Sequence, residues 1–183
     1  MRKKRTRGNC KSFQEGSPKI HKSVFMAPNA VIAGDVTIGE LSSVWYHAVI
    51  RGEFDSVKIG KKTNIQDGVI VHVDWDKPAN IGDRVTVGHR AIIHAAKVGS
   101  DTIVGMGSII LNDVEIGPGS VVAAGSVVIE GFKAPPHSIL AGIPARIIGK
   151  VSGKLKERIK TNYEDYLKLA AEYKKHRFPG FGK

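Results

Sequence analysis

The stretch "VGSDTIVGMGSIILNDVEIGPGSVVAAGSVV" (residues 98–128) sets an aliphatic residue at every sixth position: Val98, Val104, Ile110, Ile116, Val122 and Val128. Neither a strand period of 2 nor a helical period of 3.6 produces that register. A step of six suits a chain that makes a short strand, turns a corner and starts again. Three such sides close a triangular coil, so that residues about eighteen apart stack along one face.

The same step runs back through most of the chain. Aliphatic residues recur at Ile32, Ile38, Val44 and Ile50, at Ile59, Ile65 and Val71, and at Ile81, Val87 and Ile93, after which the phase slips by one. Glycine follows the aliphatic at Gly39, Gly60, Gly82, Gly88, Gly99, Gly105 and Gly117, which suits corners where a β-carbon would hinder the backbone. The pattern predicts an all-β fold, a single-stranded left-handed parallel β-helix of hexapeptide repeats, over residues 18–149. The step breaks after Ile50, where "RGEFDSVKIG" intervenes, and after Val71, where "HVDWDKPAN" intervenes. Extra residues in a coil are expected to bulge as loops, and such loops commonly build sites.

From Ser152 the period becomes helical. Leu155, Ile159, Tyr163, Tyr166, Ala170 and Tyr173 form one apolar stripe, predicting a C-terminal helix over 150–176 that lies along the coil, with Ser152 capping its start. Residues 1–17 read as a basic, flexible extension and 177–183 as a loose tail. The net charge of +11 sits in the ends: residues 1–12 carry six Lys/Arg and no acid, while the body is nearly neutral. With no RNA-binding motif or interleaved aromatics, no specific nucleic-acid partner is predicted. No apolar run reaches the ~20 residues that span a bilayer, and the lone Cys10 cannot form an internal disulfide, which suits a reducing cytoplasm. A soluble, cytoplasmic protein is expected.

Of seven histidines, His21, His47, His137 and His176 stand in turn or terminal contexts. His72, His89 and His94 share one part of the coil. Buried in the core, each would need two polar partners; on a flat outer face they would be unremarkable. With Val87 and Ile93 pointing inward, His89 and His94 both point outward from different places on the triangle. Their nitrogens could hardly meet within the ~2.0–2.1 Å that zinc requires of each. His72 and His94 can stack on neighbouring coils, so a third ligand would come from another subunit, as a threefold trimer would supply.

The motifs "VIRGE" (49–53), "TNIQDGVIVH" (63–72), "VTVGHRAIIH" (85–94) and "VGMGSIIL" (104–111) resemble the γ-class carbonic anhydrases and their short relatives among hexapeptide-repeat proteins. The resemblance implies a homotrimer in which His72 and His94 of one chain and His89 of the next bind Zn2+, with Fe2+ or Co2+ as alternatives. It implies reversible hydration of CO2 to bicarbonate by a zinc-bound hydroxide. Gln66 corresponds to the residue that orients that hydroxide, and Tyr166 to a helix tyrosine near the pocket whose other reading is one more member of the apolar stripe. Arg51 and Asp67 correspond to an ion pair across the subunit interface, with Asn64 in the same polar cluster.

Two departures stand out. Arg51-Gly52-Glu53 replaces the family's Arg-Gly-Asp, so Glu53 keeps the carboxylate with one more methylene. Trp75 stands roughly where the best-studied γ enzymes carry a proton-shuttling glutamate, with Asp74 and Asp76 beside it as substitutes or as surface acids. Two other readings stay open. One is a hexapeptide acyltransferase using an acyl-CoA, suggested by "AGIPARIIGK" (141–150). The other is a non-catalytic, metal-bearing trimeric scaffold.

Overall fold

The computed structural model describes residues 16–176. Residues 1–15, which hold Cys10 and most of the basic extension, and the tail 177–183 lie outside the described residues. The coil is a parallel β-helix of short strands whose successive turns pair in register, followed by one helix, α1 (Gly153–Lys174). Inward residues stack as three ladders: Ile50, Val71, Ile93, Ile110 and Val128; Ile38, Ile59, Ile81, Val98 and Ile116; Val44, Ile65, Val87, Val104, Val122 and Leu140. All are between 0% and 3% exposed, so the six-residue aliphatic step is the core.

The three outer faces differ in chemistry, and that difference places everything else. The first face stacks Val31, Val49, Ile70, Ile92, Ile109 and Val127, an aliphatic ladder turned outward. The second stacks Phe25, Ser43, Asn64, Thr86, Ile103, Val121 and Ile139 and carries α1. The third stacks Lys19, Thr37, Lys58, Asn80, Lys97, Glu115 and Lys133 and faces solvent.

The helix docks through the predicted stripe. Ile159 and Ala170 are buried, and Tyr166 and Tyr173 meet Trp45 edge-on at ring-centroid distances of 5.3 and 5.1 Å. Ser152 takes the N-cap position with extended backbone but makes no side-chain capping bond. Its backbone carbonyl instead accepts the Leu155 N–H at 3.1 Å.

The glycines that follow the core aliphatics allow close approach between coils: a Cβ on Gly105 would lie 2.5 Å from the Ala124 nitrogen. The left-handed corner positions are occupied largely by other residues, among them Leu41, Lys62, Arg84 and Asp101. The first break is no detached loop. Residues Val49–Ile59 form one strand, and the extra residues bulge where pairing jumps from Gly34↔Gly52 to Val36↔Val57. The second break is a tight turn closed by an Asp74–Lys77 bridge.

Candidate metal centre

The second break brings two histidines into register, because the ten-residue step from Val71 to Ile81 sets Ile93 opposite Val71 on the next coil. His72 and His94 end adjacent parallel strands and are direct Cα partners. Both point outward from the first face at its border with the third, because each lies two residues beyond a ladder residue, Ile70 or Ile92, and strand side chains alternate. His72 Nδ1 and His94 Nε2 face each other at 3.1 Å.

The outer nitrogen of each ring is tied to an oxygen. His94 Nδ1 donates to Asn112 Oδ1 at 2.6 Å, and Asn112 Nδ2 donates to Asp74 Oδ2 at 2.8 Å. A carboxylate only accepts, so Asp74 fixes the amide's orientation and Asn112 in turn fixes the proton on His94 Nδ1. His72 Nε2 donates to Glu53 Oε1 at 3.0 Å, and Glu53 also pairs with Arg51. Burial raises the Glu53 carboxyl, but hydrogen bonds from His72 and from its own backbone, with the Arg51 guanidinium nearby, outweigh it and leave Glu53 below the usual carboxylate range. With both outer nitrogens protonated, the facing nitrogens carry lone pairs. Two nitrogens on one tetrahedral zinc stand ~3.3 Å apart for Zn–N bonds of ~2.0–2.1 Å, so the observed spacing fits a shared cation. Glu53 Oε2 is buried with no hydrogen-bond partner among the described residues.

The two insertions pack together above this pair. Phe54 from the first lies 4.7 Å from Trp75 in the second and 5.6 Å from the His72 ring. Asp74 is part of the relay to His94, which places it closer to the site than a surface acid.

The remaining candidate residues gather at a different corner, between the second and first faces. Gln66 is 5% exposed; its Nε2 donates to Asn64 Oδ1 at 3.0 Å, and its Oε1 accepts the His89 backbone N–H at 3.1 Å. Asn64 continues the chain to Thr86 Oγ1 at 3.0 Å. The His89 ring meets Asp67, Nδ1 to Oδ2, at 2.8 Å, and both side chains are about half exposed. Tyr166 overlooks this corner: burial first, and the Asp67 charge second, push its hydroxyl above the usual tyrosine value. Arg51 stands with the His72–His94 group and Asp67 with His89. Among the described residues of one chain, no three His, Cys, Asp or Glu side chains converge as a metal-holding set. Asn112 and Phe54 escape a reading of the sequence alone. Asn112 carries a signal that could find it, since it stands 18 residues after His94, one coil further on.

The coil and its ladders define a hexapeptide-repeat protein, and residues 17–52 and 95–130 match the model "Bacterial transferase hexapeptide (six repeats)". The chain belongs to the γ-class carbonic anhydrase-like family. It is 48% identical over 151 residues to "Probable carbonic anhydrase" of Methanocaldococcus jannaschii, covering 82% of this chain and 95% of that one. It is 40% identical over 160 residues to the mitochondrial Gamma carbonic anhydrase 2 of Arabidopsis thaliana, covering 84% of this chain but 58% of the plant protein. A Bacillus cereus crystal structure, provisionally described as an acetyltransferase, superposes with a TM-score of 0.87 at 38% identity, covering 89% of this chain and 95% of that one.

Proposed function

We propose that three copies of this chain assemble through the aliphatic first face and share metal ions at their interfaces. Each ion would be held by His72 and His94 of one subunit and His89 of the partner subunit, and the assembly would hydrate CO2 reversibly to bicarbonate. The observation that carries this reading is the pair of facing nitrogens at 3.1 Å, with the third histidine at another corner of the same chain. The outward ladder supports the assembly: Val31 and Ile70 are 49% and 41% exposed in a single chain, and a continuous exposed apolar face marks an interaction surface. Arg51 and Asp67 stand on the two parts of the site that such an assembly would join.

Zn2+ is the expected ion, with Fe2+ or Co2+ able to replace it; held by three neutral imidazoles, zinc supplies an open position where water ionises near neutral pH. The chain's own groups do the rest. Gln66 has its oxygen and one amide hydrogen engaged within the subunit, which leaves the second Nε2–H to orient a substrate oxygen. Tyr166, whose hydroxyl burial pushes above the usual tyrosine value, offers an O–H at the same corner. Glu53 Oε2 lacks a partner among the described residues and would accept a hydrogen bond from substrate beside His72. The decisive experiment is metal analysis of purified protein beside stopped-flow CO2 hydration. About one zinc per chain with hydration above background supports the proposal; a full trimer with zinc and no hydration favours the scaffold reading.

The likeness to the Bacillus cereus structure favours acyl transfer as the second reading, for which one histidine base would suffice. CoA-dependent acylation that survives chelation would establish it.

A further inference from the structure

The corner between the second and third faces carries a ladder of left-handed residues, one per coil: Lys62, Arg84, Asp101, Gly119 and His137, with φ of 55, 53, 57, 69 and 61°. Each backbone N–H bonds to the coil before it, Arg84 to the Lys61 carbonyl at 2.8 Å and His137 to that of Pro118 at 2.9 Å. Gly119 has no side chain at its rung, and the His137 ring leans into the gap: a Cβ on Gly119 would come within 2.3 Å of His137 Nδ1. The first half of α1 roofs the same place with Lys156, Ile159, Lys160 and Tyr163, enclosing a cleft of about 310 Å³.

The cleft is lined with donors. Its acid, Asp101, is already taken by Arg84, Nε to Oδ1 at 2.7 Å and Nη2 to Oδ2 at 2.8 Å. Lys168 and Lys175 of the helix region have acidic partners, whereas Lys156 and Lys160 form no ion pair among the described residues. Lys156 and Lys160 stand one helical turn apart on the face of α1 that lines the cleft. The His137 ring and the Tyr163 hydroxyl likewise make no hydrogen bond among the described residues. Two ammonium groups, an imidazole and a phenol supply charge and donors for a ligand that accepts at several oxygens and carries more than one negative charge.

We propose that this cleft binds a phosphate group, as the free ion or as the monoester of a small molecule; its volume is at the small end for ligand pockets. The corner lies away from the aliphatic first face, so assembly through that face leaves the cleft open. The proposal does not rest on the metal site.

Calorimetric titration of the full-length protein with inorganic phosphate and with glycerol 3-phosphate, at constant ionic strength, tests it. One saturable site per chain is expected. The pair Lys156→Gln and Lys160→Gln should weaken binding at least ~10-fold, because both ammonium groups donate charge-assisted hydrogen bonds to the phosphate oxygens. The pair Lys154→Gln and Lys168→Gln, which removes the same charge from the same helix, should change binding by less than about twofold. His89→Ala should bind as before, which separates the cleft from phosphate held by a metal. Saturable binding of phosphate alone assigns the cleft to the free ion, and tighter binding of glycerol 3-phosphate assigns it to a monoester. No saturable binding of either probe, equal weakening in both lysine pairs, or weakening in His89→Ala would overturn the proposal. Circular dichroism melts of each variant check that the fold is retained.

Discussion

Asn112 accepts the His94 Nδ1 proton at 2.6 Å while its own amide nitrogen is held by Asp74 at 2.8 Å. A side chain one coil away from a candidate ligand thus sets which nitrogen of that ligand is free. Asn112→Leu should lower metal affinity by about 10–100-fold, the usual cost of removing such an outer partner. Competition with a zinc chelator measures it. Asp74→Ala should have a smaller effect in the same direction, because it frees the Asn112 amide to rotate without removing it.

His89 lies on the other side of the proposed interface, so its removal is felt in every site. His89→Ala should leave the trimer intact and empty all of its metal positions, read by elemental analysis beside sedimentation equilibrium. A variant that kept one zinc per chain with unchanged activity would sink the shared-site proposal.

The aliphatic first face predicts the complementary result. Ile109 pairs with Ile92 and Val127 in the outward ladder, so in a lone chain a glutamate there reaches water easily. Ile109→Glu should give a monomer with unchanged far-ultraviolet circular dichroism and no bound metal. A glutamate-bearing chain that remained trimeric would move the interface to another face.

Ile93 is fully buried in the inward ladder between Val71 and Ile110. Truncation to alanine there removes packed methylenes and leaves a cavity between coils, at a cost of ~2–5 kcal/mol. Denaturant unfolding of the variant checks this, provided protein concentration is held fixed, because assembly contributes to apparent stability.

Tyr166 gives a pH signature. Its pKa is raised, by burial and then by the Asp67 charge, so the unfolded chain releases the proton before the folded one. Stability is complete below the unfolded value of about 10 and falls as pH rises beyond it toward the folded value. Tyr166→Phe should flatten the loss of thermal stability as pH rises above about 10. Part of the slope should remain, because the Tyr46 hydroxyl is raised as well, by burial, by Tyr173 and by Asp67.

The sequence by itself determined the coil. Ile93, Ile110 and Val128 can be fully buried only if the chain turns every six residues, so the period dictates the three-sided solenoid, the inward ladders and the pairing of His72 with His94 on successive coils. It also determined which side of α1 is apolar, since Ile159, Tyr166, Ala170 and Tyr173 share one stripe at any docking angle. Tertiary structure alone decided what lies beside those histidines. The position of Asn112 beneath His94, the closing of Phe54 and Trp75 over His72 and the placement of Glu53 depend on how two insertions fold against each other, and an irregular loop has no period to read. The same holds for the cleft beside His137. A missing side chain at Gly119 becomes a cavity only once a helix from the far end of the chain lies across it.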